Sequence, residues 1–478
     1  MLQMKSERDF PPYLIIIVPL VIGLVFSLEP RPIALQKDLT AALQTAASPS
    51  AAMQANHLQD ILTWEPWRTD LWETVGQKSL DGGDPAAAIK AFQTAEWFDR
   101  LSPEGWISLG DAFLAAGDWQ KAVSAWQDVL TSTPGDDLFN RVLTQQWNHQ
   151  DYPDALQTAL SWWANEPKNS QAAFKAGLLE CVENPPEALK YLANAAGLDS
   201  KLSSQVDFLI KAVNGAYQQS HEGYRRVMVG RALANLGYWD LAQRSFADAT
   251  TASPDYAEGW AFLGEALQQL NQDGTAELKK AQSLDPTSII VKALTALWDR
   301  RNNQIDAAFT ELKQIAQLQP DQAIWQIELG NTTALTGDLY ASLQYYQHAT
   351  ELEPANPQTW MALGNFSVVN FMQLREVGLP AARTALNLTS TDSPALDLMG
   401  RVMMDLEDMV SAERFLQQAV DKDASSAAAQ LHLGQLYLQE NQPEKAYPHL
   451  KLASQLAGSD GSTRTLANRL LVRYFGGQ

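Results

Sequence analysis

The residue types that most often perform chemistry are few and scattered in this chain. Its six histidines lie at no spacing typical of a metal site, and it has neither a phosphate-binding glycine loop nor a nucleophile-elbow motif. Carboxylates are abundant, so close pairs of them arise by chance. The only cysteine, Cys181, has no partner for an intrachain disulfide, and we expect a buried, unreactive thiol there. We therefore predict no enzymatic activity, no catalytic residue, no metal site and no cofactor.

Polar residues that could bind a partner recur at a fixed interval instead. Asn331 and Asn365 lie 34 residues apart, and each follows a Leu-Gly pair. Other polar residues that follow a glycine at such steps are Gln77, Asp111, Arg231, Glu265, Arg401 and Gln435. A constant period of this length is typical of a repeat array, so the elements that position these residues must repeat too.

Each repeat has the pattern of two helices and a short turn. The first helix carries a glycine where the next helix can approach closely. The second helix carries an alanine and, four residues later, a large apolar residue on the same face, as in Ala122 and Trp126. A proline then ends the repeat, because proline cannot continue the helical hydrogen bonds.

These features resemble the tetratricopeptide repeat family, and the match is fullest in one stretch: Trp106, Leu109, Gly110, Phe113, Ala122, Trp126 and Pro134. The resemblance implies an all-α, right-handed superhelical solenoid of about a dozen helical hairpins. In such arrays the first helices line a concave groove, and the residue after Leu-Gly points into it. The implied partner-binding groove consists of Asp111, Arg231, Glu265, Asn331, Asn365, Arg401 and Gln435.

What that groove would bind stays open at this stage. Chaperone-binding members of the family clamp a peptide's terminal carboxylate with lysines and asparagines, and this chain lacks those lysines. Asn331 and Asn365 could instead hold an extended peptide backbone, since an amide both donates and accepts hydrogen bonds. Ordinary polar lining of the groove is the alternative. The tryptophans at the repeat's own tryptophan position, such as Trp260, are expected to pack in the core.

The pattern predicts several segments along the chain. Residues 1–12 form a tail, 13–31 a transmembrane helix or signal anchor, and 32–68 a degenerate capping repeat. Repeats follow at 69–200 and 223–460, separated by an irregular junction helix at 201–222. Residues 461–478 form a C-terminal capping helix. The repeat at 257–288 is two residues short, and that at 357–392 has extra residues, predicted around 378–392 as a surface bulge.

The N-terminal segment has three possible interpretations. Residues 10–28 contain no charged side chain, and 13–28 are apolar enough for a membrane anchor. A cleaved signal peptide and a buried apolar helix are the alternatives, although no small-residue cleavage site follows the segment. The anchor interpretation predicts a single-pass membrane protein with extracytoplasmic repeats, and the signal peptide predicts a secreted one.

The net charge of −20 lies in the repeat region and argues against nucleic acid as the main ligand. The sequence thus favours a membrane-anchored, non-catalytic scaffold that binds or organises proteins or peptides, with no small-molecule substrate. A secreted or cell-surface protein that binds peptides or glycans is the alternative.

Overall fold

The computed structural model describes residues 55, 58–59, 61–389, 392–458 and 461–476. In these ranges the chain is helical and contains no strand, as the sequence predicts. The chain divides into two compact units, Met1–Val206 and Asp207–Gln478.

The described part of the first unit contains four helical hairpins. Its helices are α1 (Thr69–Asp81), α2 (Pro85–Phe98), α3 (Pro103–Ala115), α4 (Trp119–Leu130), α5 (Asp136–Asn148), α6 (Tyr152–Asn165), α7 (Ser170–Glu183) and α8 (Pro185–Leu198), followed by a short 3₁₀ turn at Ser200–Leu202. Ahead of α1, Leu58 and Leu62 are buried in one cluster with Val75. The apolar face of the first hairpin is therefore covered on its N-terminal side.

The described part of the second unit contains seven hairpins and a C-terminal helix, and the helix that precedes the hairpins contains the boundary between the two units. The helix α9 (Ser203–Tyr217) leads into α10 (Glu222–Asn235), α11 (Trp239–Ala252), α12 (Ala257–Gln269), α13 (Thr275–Leu284), α14 (Ile289–Arg301), α15 (Ile305–Leu318), α16 (Ala323–Ala334), α17 (Leu339–Leu352), α18 (Pro357–Asn370), α19 (Leu379–Thr389), α20 (Ser393–Asp405), α21 (Met409–Lys422), α22 (Ala427–Gln439), α23 (Pro443–Leu456) and α24 (Gly461–Phe475). The last helix packs Leu466 and Leu470 on the cluster of the final hairpin.

Glycines in several of the first helices explain how their hairpins close. A Cβ atom on Gly110 would lie 2.2 Å from Nε1 of Trp126, so no side chain fits there. Trp126 is 1% exposed, and its indole N–H donates to the carbonyl oxygen of Ile107 at 3.1 Å. Gly330 meets Tyr346 in the same way, also sixteen residues on. The large residue of the second helix therefore fills the space that the glycine leaves on the first.

Turn residues fix where the second helices begin. Asp118 accepts a hydrogen bond from the backbone N–H of Lys121, and Asp338 accepts one from Ala341. The preceding Gly117 and Gly337 have φ angles of 86° and 83°, a region that favours glycine. Each cap satisfies a helix N–H that would otherwise lack a partner and contributes about 1 kcal/mol.

Tryptophans of the first helices connect consecutive repeats. The indole N–H of Trp72 donates to the carbonyl of Pro66, that of Trp260 to Pro254, and each N···O distance is 2.9 Å. Trp360 and Pro354 form the same bond at 2.8 Å. These tryptophans are therefore both packing residues and hydrogen-bond donors to the proline that ends the previous repeat.

Two hairpins depart from the standard form. Gly264 lies against Leu278, only fourteen residues on, which places the two-residue deletion between them. In the hairpin of α18 and α19, the extra residues do not lie at 378–392 as predicted. They occupy the turn at 371–378, which contains a π-helical segment, Leu374–Gly378. Most of the predicted bulge is instead regular helix, since residues 379–389 form α19.

The membrane prediction needs correction. The described helices are at most 15 residues long, whereas a membrane span takes about 20. Nowhere in the described ranges is a helix long and apolar enough to cross a membrane. The predicted membrane localisation is therefore contradicted. Residues 13–31, on which the prediction rested, lie outside the described residues.

Candidate partner-binding face

The first helices of the second unit follow one another along a surface, here called the first-helix face, and the ion pair between Arg300 and Glu328 joins α14 to α16. Contacts join α10 to α12, α12 to α14, α16 to α18, α18 to α20, and α20 to α22. The predicted groove residues lie on these helices, except Asp111, which lies on α3 of the first unit. The structure therefore shows what each predicted groove residue contacts.

Two acidic groove residues are bound by arginines of the next repeat. Arg141 Nη1 donates to both carboxylate oxygens of Asp111, at 2.8 and 3.0 Å. Glu265 is only 7% exposed, and two guanidinium nitrogens of Arg301 donate to its oxygens at 2.6 and 2.7 Å. This hydrogen bond raises the pKa of Arg301 above its ordinary value. The two carboxylates thus connect first helices rather than remaining free for a ligand.

The two predicted asparagines also have partners within the array. Arg401 Nη1 donates to Oδ1 of Asn365 at 2.8 Å. Asn331 donates to Glu328 at 3.2 Å and accepts a hydrogen bond from the hydroxyl of Tyr346. Burial raises the pKa of Tyr346 to about 12, so this hydroxyl remains a donor at neutral pH. The structure therefore brings Asn365 and Arg401 together, while Asn331 belongs to a separate group.

The remaining groove residues are more isolated. The guanidinium of Arg231 lies 5.3 Å from the ring centroid of Phe262, a cation–π contact on an exposed side chain. Gln435 is half-buried on α22. Six of the seven predicted residues thus make local contacts along the repeats, and Asn365 and Arg401 make theirs with each other.

A pair that the sequence analysis missed lies between these groups. Arg300 Nη1 lies 2.8 Å from Glu328 Oε2, and both side chains are about one quarter exposed. The pair adjoins a cavity of 200 Å³ whose other lining residues are mainly apolar: Ala293, Ala296, Leu297, Leu312 and Trp325. A spacing of 28 residues between the partners, less than one repeat, was the only sequence signal for this pair.

A second missed pair joins His432 to Asp397. The Nδ1 atom of His432 lies 2.7 Å from Asp397 Oδ1, and both side chains are largely buried. Their separation of 35 residues places them one repeat apart on adjacent first helices. Spacings near the repeat length therefore mark contacts across this face.

Cysteine and metal-ligating side chains are the remaining groups that could perform chemistry. Cys181 is buried, and burial raises the pKa of its thiol to about 12, which makes it a poor nucleophile at neutral pH. Among the described residues, no group of three or more histidine, cysteine or carboxylate side chains could hold a metal ion.

Comparison with known proteins relates the chain to helical repeats. Models of the tetratricopeptide repeat match residues 76–137 and 403–466. No curated protein sequence matches the chain.

Solved structures similar to this chain share little sequence with it. Yeast Tom70 has 13% identity and a TM-score of 0.42, over 94% of this chain and 98% of that one. The Cut9–Hcn1 hetero-tetramer of the APC/C has 15% identity and a TM-score of 0.36, over 87% and 92%. MamA from Desulfovibrio magneticus RS-1 has 19% identity and a TM-score of 0.30, over 36% and 97%. The resemblance to the tetratricopeptide repeat is confirmed by the family models, for one segment of each unit.

Proposed function

We propose that this chain is a non-catalytic scaffold that binds protein partners through the first-helix face of its second unit. The observation that carries this proposal is the 200 Å³ cavity beside Arg300 and Glu328. Apolar cavities with a few polar groups at the rim are a common form of binding site. A partner's aliphatic or aromatic side chain is the chemistry that this cavity fits.

Polar groups around the cavity suit the backbone of an extended peptide. Glu328 and Asn331 lie on the same helix three residues apart and are hydrogen-bonded to each other at 3.2 Å. Their remaining oxygen and N–H groups can bond to a peptide that crosses α16. Farther along the face, Asn365 and Arg401 offer a similar pair. A partner that pairs with these groups gains specificity as well as affinity.

The first test fills the cavity. Ala293→Trp places a large side chain in it and should weaken partner binding by at least tenfold. Ala86→Trp, at an exposed alanine of α2, is the matched control. Partners are first captured with the wild-type protein and then purified, and their affinity for each variant is measured by isothermal titration calorimetry. Equal affinity for the two variants would exclude this cavity as the binding site.

A second test concerns the predicted asparagines. Asn331→Ala together with Asn365→Ala removes two amides from the face and should also weaken binding by at least tenfold, because backbone groups of the peptide lose their partners. The helical circular dichroism spectrum must stay unchanged. A folded double variant with unaltered affinity would show that the partner binds elsewhere.

A further inference from the structure

A larger cavity lies on the other side of the second unit, away from the first-helix face. It has a volume of 470 Å³ and is lined by residues of α13, α14 and α15. The second helices α13 and α15 form its walls, and one turn of α14 forms its floor. Its size falls within the range typical of small-ligand sites.

The short repeat accounts for the position of this cavity. Helix α13 has 10 residues, whereas α11 and α15 have 14 each. A Cβ atom on Gly274 would lie 2.1 Å from the carbonyl oxygen of Gly264, so the turn before α13 lies directly on α12. Because α13 is short and held against α12, space remains between it and α15.

Two buried polar side chains form the floor of the cavity. Thr295 and Asp299 lie four residues apart on α14 and therefore share one face. Thr295 is 7% exposed and Asp299 6%. The hydroxyl of Thr295 has no hydrogen-bond partner among the described residues. A buried polar group without a partner is unusual in proteins, and a ligand group that bonded to it would be favoured.

Asp299 also lacks a cationic partner in the described part of the chain. Burial and the nearby charge of Glu311 raise the pKa of its carboxyl group above the ordinary value. The basic residues on the same helix are engaged elsewhere, since Arg300 pairs with Glu328 and Arg301 with Glu265.

The other charged groups around the cavity leave an excess of carboxylates. From α15 come Asp306 and Glu311, and from α13 comes Lys279. Lys292 on α14 forms an ion pair with Glu311 at 2.9 Å and so is not available to Asp299. Lys279 is exposed and is not paired with Asp299 in the described structure. The cavity therefore favours cations over anions.

We propose that this cavity binds a primary ammonium group carried on an alkyl chain. The ammonium N–H groups would donate to the carboxylate of Asp299 and, after a rotation of the buried Thr295 side chain towards the cavity, to its hydroxyl oxygen. The alkyl chain would pack on Leu278, Trp298 and Ala307, which supply the apolar lining. Such a group occurs in free alkyl diamines and in lysine side chains, and the two sources share this chemistry.

Calorimetric titration with cadaverine and with Nα-acetyl-lysine methylamide tests the proposal on the full chain. Asp299→Asn removes the charge, and Thr295→Val removes the hydroxyl, with little change of shape in either case. Asp128→Asn, at an exposed residue of α4, makes the same charge change outside the cavity and is the matched control. We expect binding to the wild type and the control, with at least tenfold weaker binding to Asp299→Asn and a smaller loss for Thr295→Val.

The probes also separate the two sources and the role of charge. Stronger binding of cadaverine indicates a free diamine, and stronger binding of the lysine derivative indicates a lysine side chain. 1-Pentanol, which has an alkyl chain but no charge, should bind far more weakly than either. The proposal is overturned if neither amine binds the wild type, if 1-pentanol binds equally well, or if Asp299→Asn binds the amines like the control. None of these outcomes bears on partner binding by the first-helix face.

Discussion

Two hairpins of the second unit show how a small change in repeat length alters a surface. In the hairpin of α16 and α17, Gly330 faces Tyr346 and the second helix has 14 residues. In that of α12 and α13, Gly264 faces Leu278 and also the backbone of Gly274. Both hairpins keep the glycine contact, but only the shorter one borders the 470 Å³ cavity. In the shorter hairpin the core contact is thus preserved, and a cavity lies beside its second helix.

The largest expected effect is a difference in stability between variants at Gly274 and at Gly330. Gly274→Ala places a Cβ atom against the carbonyl oxygen of Gly264, and backbone on both sides prevents relief. We expect a loss of about 3 kcal/mol in the free energy of unfolding. Gly330→Ala meets the ring of Tyr346, which can shift, and gains about 0.5–1 kcal/mol of helix propensity in compensation. Urea denaturation measures both variants. Similar losses would show that the shorter hairpin is no more constrained than the regular one.

A smaller effect concerns the buried carboxylate in the cavity. Because the pKa of Asp299 is raised in the folded state, the folded protein binds a proton more readily than the unfolded chain. The contribution of Asp299 to the free energy of unfolding therefore decreases as the pH rises above 3.8, the ordinary pKa of aspartate. It is lost completely once the pH exceeds the raised pKa of the folded state. Asp299→Asn should melt at a higher temperature than the wild type at pH 7 and at the same temperature near pH 3.

Thermal melting from about pH 3 to pH 7, without any amine present, measures the sign of this difference in melting temperature. The control is Asp128→Asn, which makes the same charge change at an exposed residue. A variant less stable than the wild type at pH 7 would mean that the Asp299 carboxylate has a stabilising partner.

The smallest effect lies at the turns. Asp338→Ala removes the side-chain cap of α17 and should lower the free energy of unfolding by about 1 kcal/mol. Asp118→Ala makes the matching change at the start of α4. Helix α13 starts at Thr275, and the preceding Gly274 provides no side-chain cap of this kind. If the two variants differ strongly in denaturant titrations, the turns are not equivalent modules.

The sequence predicted the repeat core well, because that core depends on local spacing. The 34-residue period, the glycine at Gly110 and the large residue at Trp126 all follow from periodicity within one hairpin. The short repeat at 257–288 was also predicted from the sequence. The cavity between α13 and α15 was not, because sequence spacing does not show whether neighbouring helices pack closely or leave a gap.

The candidate site was harder to predict for a related reason. Asn331 and Asn365 lie on first helices, but their hydrogen bonds depend on which side chain of a neighbouring helix reaches them. Arg401 lies one repeat after Asn365, so that pair had a spacing signal. Tyr346 reaches Asn331 from the second helix of the same hairpin, and that contact depends on the packing angle between helices.

The bonds between tryptophans and prolines define where this protein could be divided and recombined. Because Trp260 bonds to Pro254 and Trp360 to Pro354, a cut placed at the loop between hairpins separates each donor from its acceptor. A transferable cassette would therefore begin at the proline and carry the following tryptophan with it. Trp106 marks an exception: residue 100, six positions earlier, is Arg100, and the indole N–H has no partner in the described structure. A repeat grafted from this chain should therefore begin at one of these prolines rather than at the first residue of a helix.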